Sequence, residues 1–252
     1  MQVDAFLLAS AAVAALFAAT HLFGARMTFL STTPRSVWLS IAGGVSVAYV
    51  FVHLLPELAE HQERVSEHIE GRTGLLAAIE NHIYLGALAG LALFYGLDRL
   101  ARCSAREEKE AGRAERPPRG IFWTHLLSFA AYNLLVGYLL LHREETGLLA
   151  LGLYGVAMAL HFLVNDQGLR EHHGRAYDRE GRWLLGMAAV AGWVIGLFVE
   201  IPAGYISGLF ALLAGGIVLN VLKEELPEDR DSRFWAFAGG AAGYAALLLA
   251  VT

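Results

Sequence analysis

The chain has 252 residues, 56% of them hydrophobic and 17% charged, with 19 Lys and Arg against 24 Asp and Glu and a mean hydropathy of +0.47. A soluble domain carries about 25% charged residues spread over its surface, whereas here the charges are crowded into a few stretches. This excludes a soluble enzyme, a nucleic-acid-binding module and a secreted disulfide scaffold, the last also because Cys103 is the single cysteine.

In chain order, eight windows contain no Asp, Glu, Lys or Arg: 5–25, 36–56, 81–97, 120–142, 146–165, 183–199, 201–222 and 234–252. Each is close to the roughly 20 apolar residues that a helix needs to cross a bilayer. The expected fold is an all-α integral membrane protein, one domain over 1–252, with eight transmembrane helices and the lipid bilayer as its surroundings. Met1-Gln2-Val3-Asp4 lacks the basic segment of a signal peptide, so the first window is expected to remain as a membrane helix.

The basic residues test the alternation of the loops. Sixteen of the 19, from Arg26 and Arg35 through the Arg99–Arg119 and Arg170–Arg182 groups to Lys223, Arg230 and Arg233, fall in the connections after the odd-numbered windows. Only Arg64, Arg72 and Arg143 fall on the other side. The positive side is the cytoplasmic one, so both termini are expected outside, and the setting read for the chain is the plasma membrane of a prokaryote.

Between the windows, 98–119 contains Arg106-Glu-Glu-Lys-Glu110 and Pro117-Pro118 and reads as a flexible cytoplasmic linker dividing three helices from five. The acidic 57–80 stretch reads as a partly helical continuation of the second helix. Small residues four apart, Gly86 with Gly90 and Gly239 with Gly243, suit close approach of helix backbones. Glu200-Ile201-Pro202 marks an outer loop, and His172 and His173 fall in an inner one.

The second window runs into His53-Leu54-Leu55-Pro56-Glu57, and the seventh into Glu224-Glu225-Leu226-Pro227-Glu228. A Leu-Pro-Glu thus closes one apolar span on the outside and another on the inside. Helices one to three and six to eight read as an inverted repeat around a central pair, an arrangement that places transporter substrate sites at the repeat interface.

With these features the chain resembles the ZIP (Zrt/Irt-like) family of divalent metal transporters. The resemblance rests on eight helices in a 3+2+3 arrangement, outside termini, a long cytoplasmic connection after helix three and the His-Leu-Leu-Pro-Glu ending. It covers nearly the whole chain. In that family helices four and five hold the metal through His-Asn-x-Pro-Glu-Gly and His-Glu-x-Pro-Glu-Gly. Here the corresponding segments are Tyr132-Asn133-Leu134-Leu135-Val136-Gly137 and His161-Phe162-Leu163-Val164-Asn165-Asp166. The first keeps the Asn and Gly; the second keeps the His, puts Asn where the metal-binding Glu stands and adds an Asp. Two lost carboxylates remove charge that balances a dication in a low dielectric.

His161 and Asn165, four apart, share one helix face, with Asp166 one residue round and Asn133 on the neighbouring helix. Imidazole, amide oxygen and carboxylate form a ligand set for a divalent cation, zinc first. The same residues also suit interhelical hydrogen bonding without any metal, and both readings stay open. His53, Glu57 and His61 recur at intervals of four and read as an entrance stripe, with a solvated amphipathic helix as the alternative. His125, Glu224 and Glu225 read as an inner mouth, with Glu224 and Glu225 as solvated charges capping the helix end as the alternative.

The function expected is therefore ZIP-like transport of a divalent metal cation of the zinc, iron or manganese class, with the metal as substrate and no organic cofactor. Alternatives are a ZIP-derived membrane partner protein that no longer transports, and an intramembrane metal-dependent lipid hydrolase using His125, His161, Asp166 and His172. No G-x-x-x-x-G-K-[ST] is present to drive an ATP-powered pump. A homodimer is compatible with the sequence; a nucleic-acid partner is not expected.

Overall fold

A peptide group in hydrocarbon has no water to bond, so each charge-free window must satisfy its backbone internally, and a helix does so. The computed structural model describes residues 2–24, 36–68, 82–110, 119–143, 147–225 and 233–250. The elements among them are helices: α1 (Gln2–Phe23), α2 (Val37–Tyr49), α3 (Leu55–His68), α4 (Ile83–Glu110), α5 (Arg119–His142), α6 (Leu148–His173), α7 (Arg182–Phe198), α8 (Ala203–Asn220) and α9 (Phe234–Leu249). A π-helical turn, Val50–Leu54, joins α2 to α3; others lead into α7 (Tyr177–Gly181) and end α8 (Val221–Glu225).

Among the described residues, seven helical runs are long and apolar enough to cross a membrane: Ala5–Phe23, Val37–Gln62, Ile83–Leu100, Phe122–His142, Leu148–Glu171, Tyr177–Phe198 and Tyr205–Lys223. The apolar α9 is shorter, at 16 residues. Leu8, Leu88, Met187 and Leu249 lie more than half exposed on the outside. In water such a surface would drive association, whereas lipid tails solvate it. Exposed Trp38, Trp183 and Trp235 stand at the starts of α2, α7 and α9, and exposed Tyr84 and Tyr205 at the starts of α4 and α8, positions suited to a membrane–water interface. The protein is an all-α, multi-pass membrane protein.

Several expectations change at the helix ends. α4 runs on to Glu110, so the first half of the stretch read as a linker is helix, with Arg106 Nε donating to Glu110 Oε1 at 2.7 Å across one turn. Residues 111–118, including Pro117-Pro118, lie outside the described residues. α6 runs to His173, so His172 and His173 end a helix instead of occupying a loop. The continuation of the second span is helical to His68, as expected, and Glu200 lies exposed between α7 and α8.

Packing is closest where glycine removes a side chain. A Cβ on Gly137 would fall on the Ala189 carbonyl and one on Gly192 on the Leu134 carbonyl, so α5 and α7 touch backbone to backbone. A Cβ on Gly44 of α2 would fall on the Phe237 carbonyl of α9, 2.7 Å from the Ala241 nitrogen; Gly240 meets the Ile41 carbonyl. A Cβ on Gly215 of α8 would fall on the Ala87 carbonyl of α4, 2.7 Å from the Leu91 nitrogen; Gly90 meets the Leu212 carbonyl.

The last two contacts have one register. Ile41 and Gly44 correspond to Leu212 and Gly215, and Phe237, Gly240 and Ala241 to Ala87, Gly90 and Leu91. In that register Val50–Leu54 matches Val221–Glu225, and Leu55-Pro56-Glu57 matches Leu226-Pro227-Glu228. Of the expected small-residue pairs, Gly90 is in this contact and Gly86 approaches Ala211, whereas Gly239 and Gly243 face open space and Gly240 takes their place.

The tight contacts carry a measurable consequence. Gly44→Ala and Gly215→Ala each lower stability by about 1–3 kcal/mol, because a backbone carbonyl cannot yield to the added methyl. Gly208→Ala on α8, where nothing lies within 4 Å, raises it by about 0.5–1 kcal/mol through helix propensity. Unfolding in detergent micelles reads both; equal losses at Gly208 and Gly215 would rule out close approach as the cause.

Candidate functional site: a polar line along the central helices

The second span changes phase at its π-helical turn, a local device often found at functional sites. Beyond the turn, Glu57 and His61 face a cavity of about 20 Å³, room for about one water or a partly dehydrated ion. His142 and Arg143 from the end of α5, Tyr154 and Met158 from α6 and Phe210 from α8 also line it. His61 is buried with Nδ1 2.8 Å from Ser207 Oγ of α8. His53 is also buried, its Nε2 3.5 Å from Glu57 and its ring 5.0 Å from that of Tyr49. The expected entrance residues therefore do gather, with the carboxylate at the cavity and an imidazole on either side along the span.

The wall opposite Glu57 is held by its own polar contacts. Arg143 lies over the Tyr154 ring at 4.5 Å and donates to the Ala150 carbonyl at 3.1 Å. His142 stacks on Tyr138 at 4.3 Å and donates from Nε2 to the Gly196 carbonyl at 2.9 Å. One carboxylate, one guanidinium and two imidazoles thus stand around the cavity, a mixture that suits a bound ion and its water better than an apolar solute.

From this cavity a single face of α6 leads inward. Tyr154, Met158, His161 and Asn165 are spaced by four, three and four, so they lie above one another on the helix, and all four are buried. The His161 ring is 6.1 Å from that of Tyr132 on α5. The Tyr132 hydroxyl and Asn165 Nδ2 are buried without a hydrogen-bond partner among the described residues. A buried donor costs free energy unless something accepts from it, so these groups can serve a water or a passing solute.

One residue round the helix, Asp166 leaves this face and meets a partner that sequence reasoning missed. His21 of α1 donates from Nδ1 to the Asp166 carboxylate at 2.9 and 3.1 Å, and from Nε2 to Asn133 Oδ1 at 2.8 Å. Asn133 donates from Nδ2 to the Phe129 carbonyl at 2.8 Å, which fixes its amide oxygen toward the imidazole. Both ring nitrogens of His21 are thus engaged by oxygen atoms, one from each of two neighbouring helices. His21, Asn133 and Asp166 are all 0% exposed. The Phe162 ring, 4.8 Å from that of His21, completes the enclosure.

The structure therefore joins Asn133 and Asp166 across α5 and α6, but through His21. Asp166 is fully buried, and α6 continues past it to His173. The side chains of His125, Glu224 and Glu225, expected at an inner mouth, lie outside the described residues. Among the described residues no group of three His, Cys, Asp or Glu is placed to hold a metal ion. His21 did carry a signal in the sequence: it is the sole ionisable residue in the first charge-free window, and such residues inside a membrane are functional by default.

Comparison of the chain with protein-family models, with curated proteins and with solved structures gives no significant match.

Proposed function

We propose that the chain is a ZIP-like transporter of a divalent metal cation of the zinc, iron or manganese class, built as an eight-span 3+2+3 inverted repeat with α9 as the eighth span and both ends outside. The matched register of the α2–α9 and α4–α8 contacts carries this reading. Exchanging the first three spans with the last three, and α5 with α6, converts α2 on α9 into α8 on α4. The same exchange converts α5 on α7 into α6 on α1, and all four pairings are observed. A repeat of this kind supports alternating access around a site between the halves.

The cation enters at the cavity beside Glu57 and His61, where a carboxylate and an imidazole offer it ligands. It passes along the α6 face to His161 and Asn165. Uptake of zinc, manganese and iron(II) into proteoliposomes holding the purified protein is expected to be saturable and above that of empty vesicles. No uptake of any of the three defeats the reading.

A second reading, a ZIP-shaped partner protein that no longer transports, is favoured by one observation: Asp166, the carboxylate nearest the eroded motifs, is already occupied by the His21 imidazole at 2.9 Å. Wild-type flux separates the two.

A further inference from the structure

We propose that His21 fills a divalent-cation site from within, and that the cation gains Asp166 and Asn133 only when α1 withdraws the imidazole. This rests on the transport reading and adds to it the nature of the central site and the element that closes it.

The argument starts from what the ring touches. A carboxylate and an amide oxygen, both fully buried, converge on one imidazole from two different helices, and the imidazole comes from a third. Asp166 and Asn133 thus direct oxygen lone pairs at the two ring nitrogens of His21 from two sides, as they would at an ion in the same place. With the ring gone, the donors left are all oxygen. Carboxylate, amide oxygen and water suit manganese over zinc, which prefers the imidazole that has just been removed.

Geometry also says which part moves. Asn133 is held toward the ring by its bond to Phe129 on its own helix, and Asp166 lies inside α6 with further helical turns beyond it, whereas His21 is near a helix end. His21 stands in the last turn of α1, and a Cβ added to Gly24 just beyond it would stand 3.8 Å from Asp166 Oδ2. A small displacement of the α1 end frees both oxygens at once.

The test uses the full-length protein in detergent, with manganese as the probe, read by its electron paramagnetic resonance and by the shift it causes in thermal unfolding. His21→Ala is expected to bind manganese at least tenfold more tightly than wild type and to gain thermal stability from it. Free imidazole is expected to compete for the vacated space. His21→Ala combined with Asp166→Ala is expected to lose the gain. His21→Gln, which keeps one donor and most of the volume, provides a second variant if His21→Ala folds poorly. Equal manganese binding by wild type and both His21 variants overturns the proposal. So does failure of both variants to fold with manganese or imidazole supplied, because the space then accepts no substitute for the ring. Wild-type flux without a gain in the variants defeats the internal plug alone; a gain without wild-type flux defeats the transport reading and leaves His21 as a permanent plug.

Discussion

Asp166→Ala is expected to lower the unfolding free energy by about 1–3 kcal/mol, the cost of leaving a fully buried hydrogen-bonding group without its partner. The reason is what stays behind. His21 would remain in the interior with Nδ1–H facing no acceptor, and only the Asn133 oxygen would still hold the ring. Three helices lose a shared contact at once, because the imidazole belongs to α1, the carboxylate to α6 and the amide to α5. Asp166→Asn keeps an oxygen for the ring but removes the charge, so its loss is expected to be smaller. The double variant with His21→Ala and Asp166→Ala is expected to recover part of the loss, since the uncompensated group is then gone too, and the difference measures the coupling. Unfolding in detergent micelles reads wild type, His21→Ala, Asp166→Ala, Asp166→Asn and the double variant. If the single and double variants add, the pair seen in the structure contributes nothing.

That pair also marks where the sequence could be read and where it could not. The charge-free windows give the helical spans because lipid imposes one rule on every residue within them, so local composition is enough. Asn133 and Asp166 can be singled out as polar residues in apolar runs, and His53, Glu57 and His61 by their spacing. What joins Asn133 to Asp166 is a histidine more than one hundred residues away in the chain, and nothing in spacing along one helix reports a contact between three helices. The repeat shows the same limit. Leu-Pro-Glu is visible twice, but its extension through Gly44 and Gly215 depends on which backbone carbonyls those glycines touch. The sequence even suggests a wrong alignment there. Ala42-Gly43-Gly44 resembles Ala214-Gly215-Gly216, yet the contacts set Gly44 against Gly215, one residue out of that step. Helix ends were hardest, because Asp166-to-His173 is polar enough to read as a loop while its backbone continues the helix.

His161→Ala is expected to reduce saturable metal uptake into proteoliposomes by at least tenfold, in the range by which altered metal coordination weakens affinity or activity. Of the side chains on the inward face of α6, Tyr154, Met158, His161 and Asn165, the imidazole is the strongest ligand for a borderline dication. It is also placed between the cavity, which Tyr154 and Met158 line, and Asn165 one turn further along α6. A cation that left Glu57 along this face would meet Met158 and then no ligand before Asn165 if His161 were absent. Truncating a buried side chain also opens a cavity and costs stability, so the flux must be compared with a variant of similar volume. His161→Gln supplies it: an amide fills the space but binds zinc or manganese more weakly, and uptake is expected to fall in between. Met158→Leu, one turn nearer the outer cavity and apolar in both forms, is expected to transport like wild type. If both His161 variants keep wild-type uptake while Glu57→Gln lowers it, the cation leaves the outer cavity by another route than the α6 face.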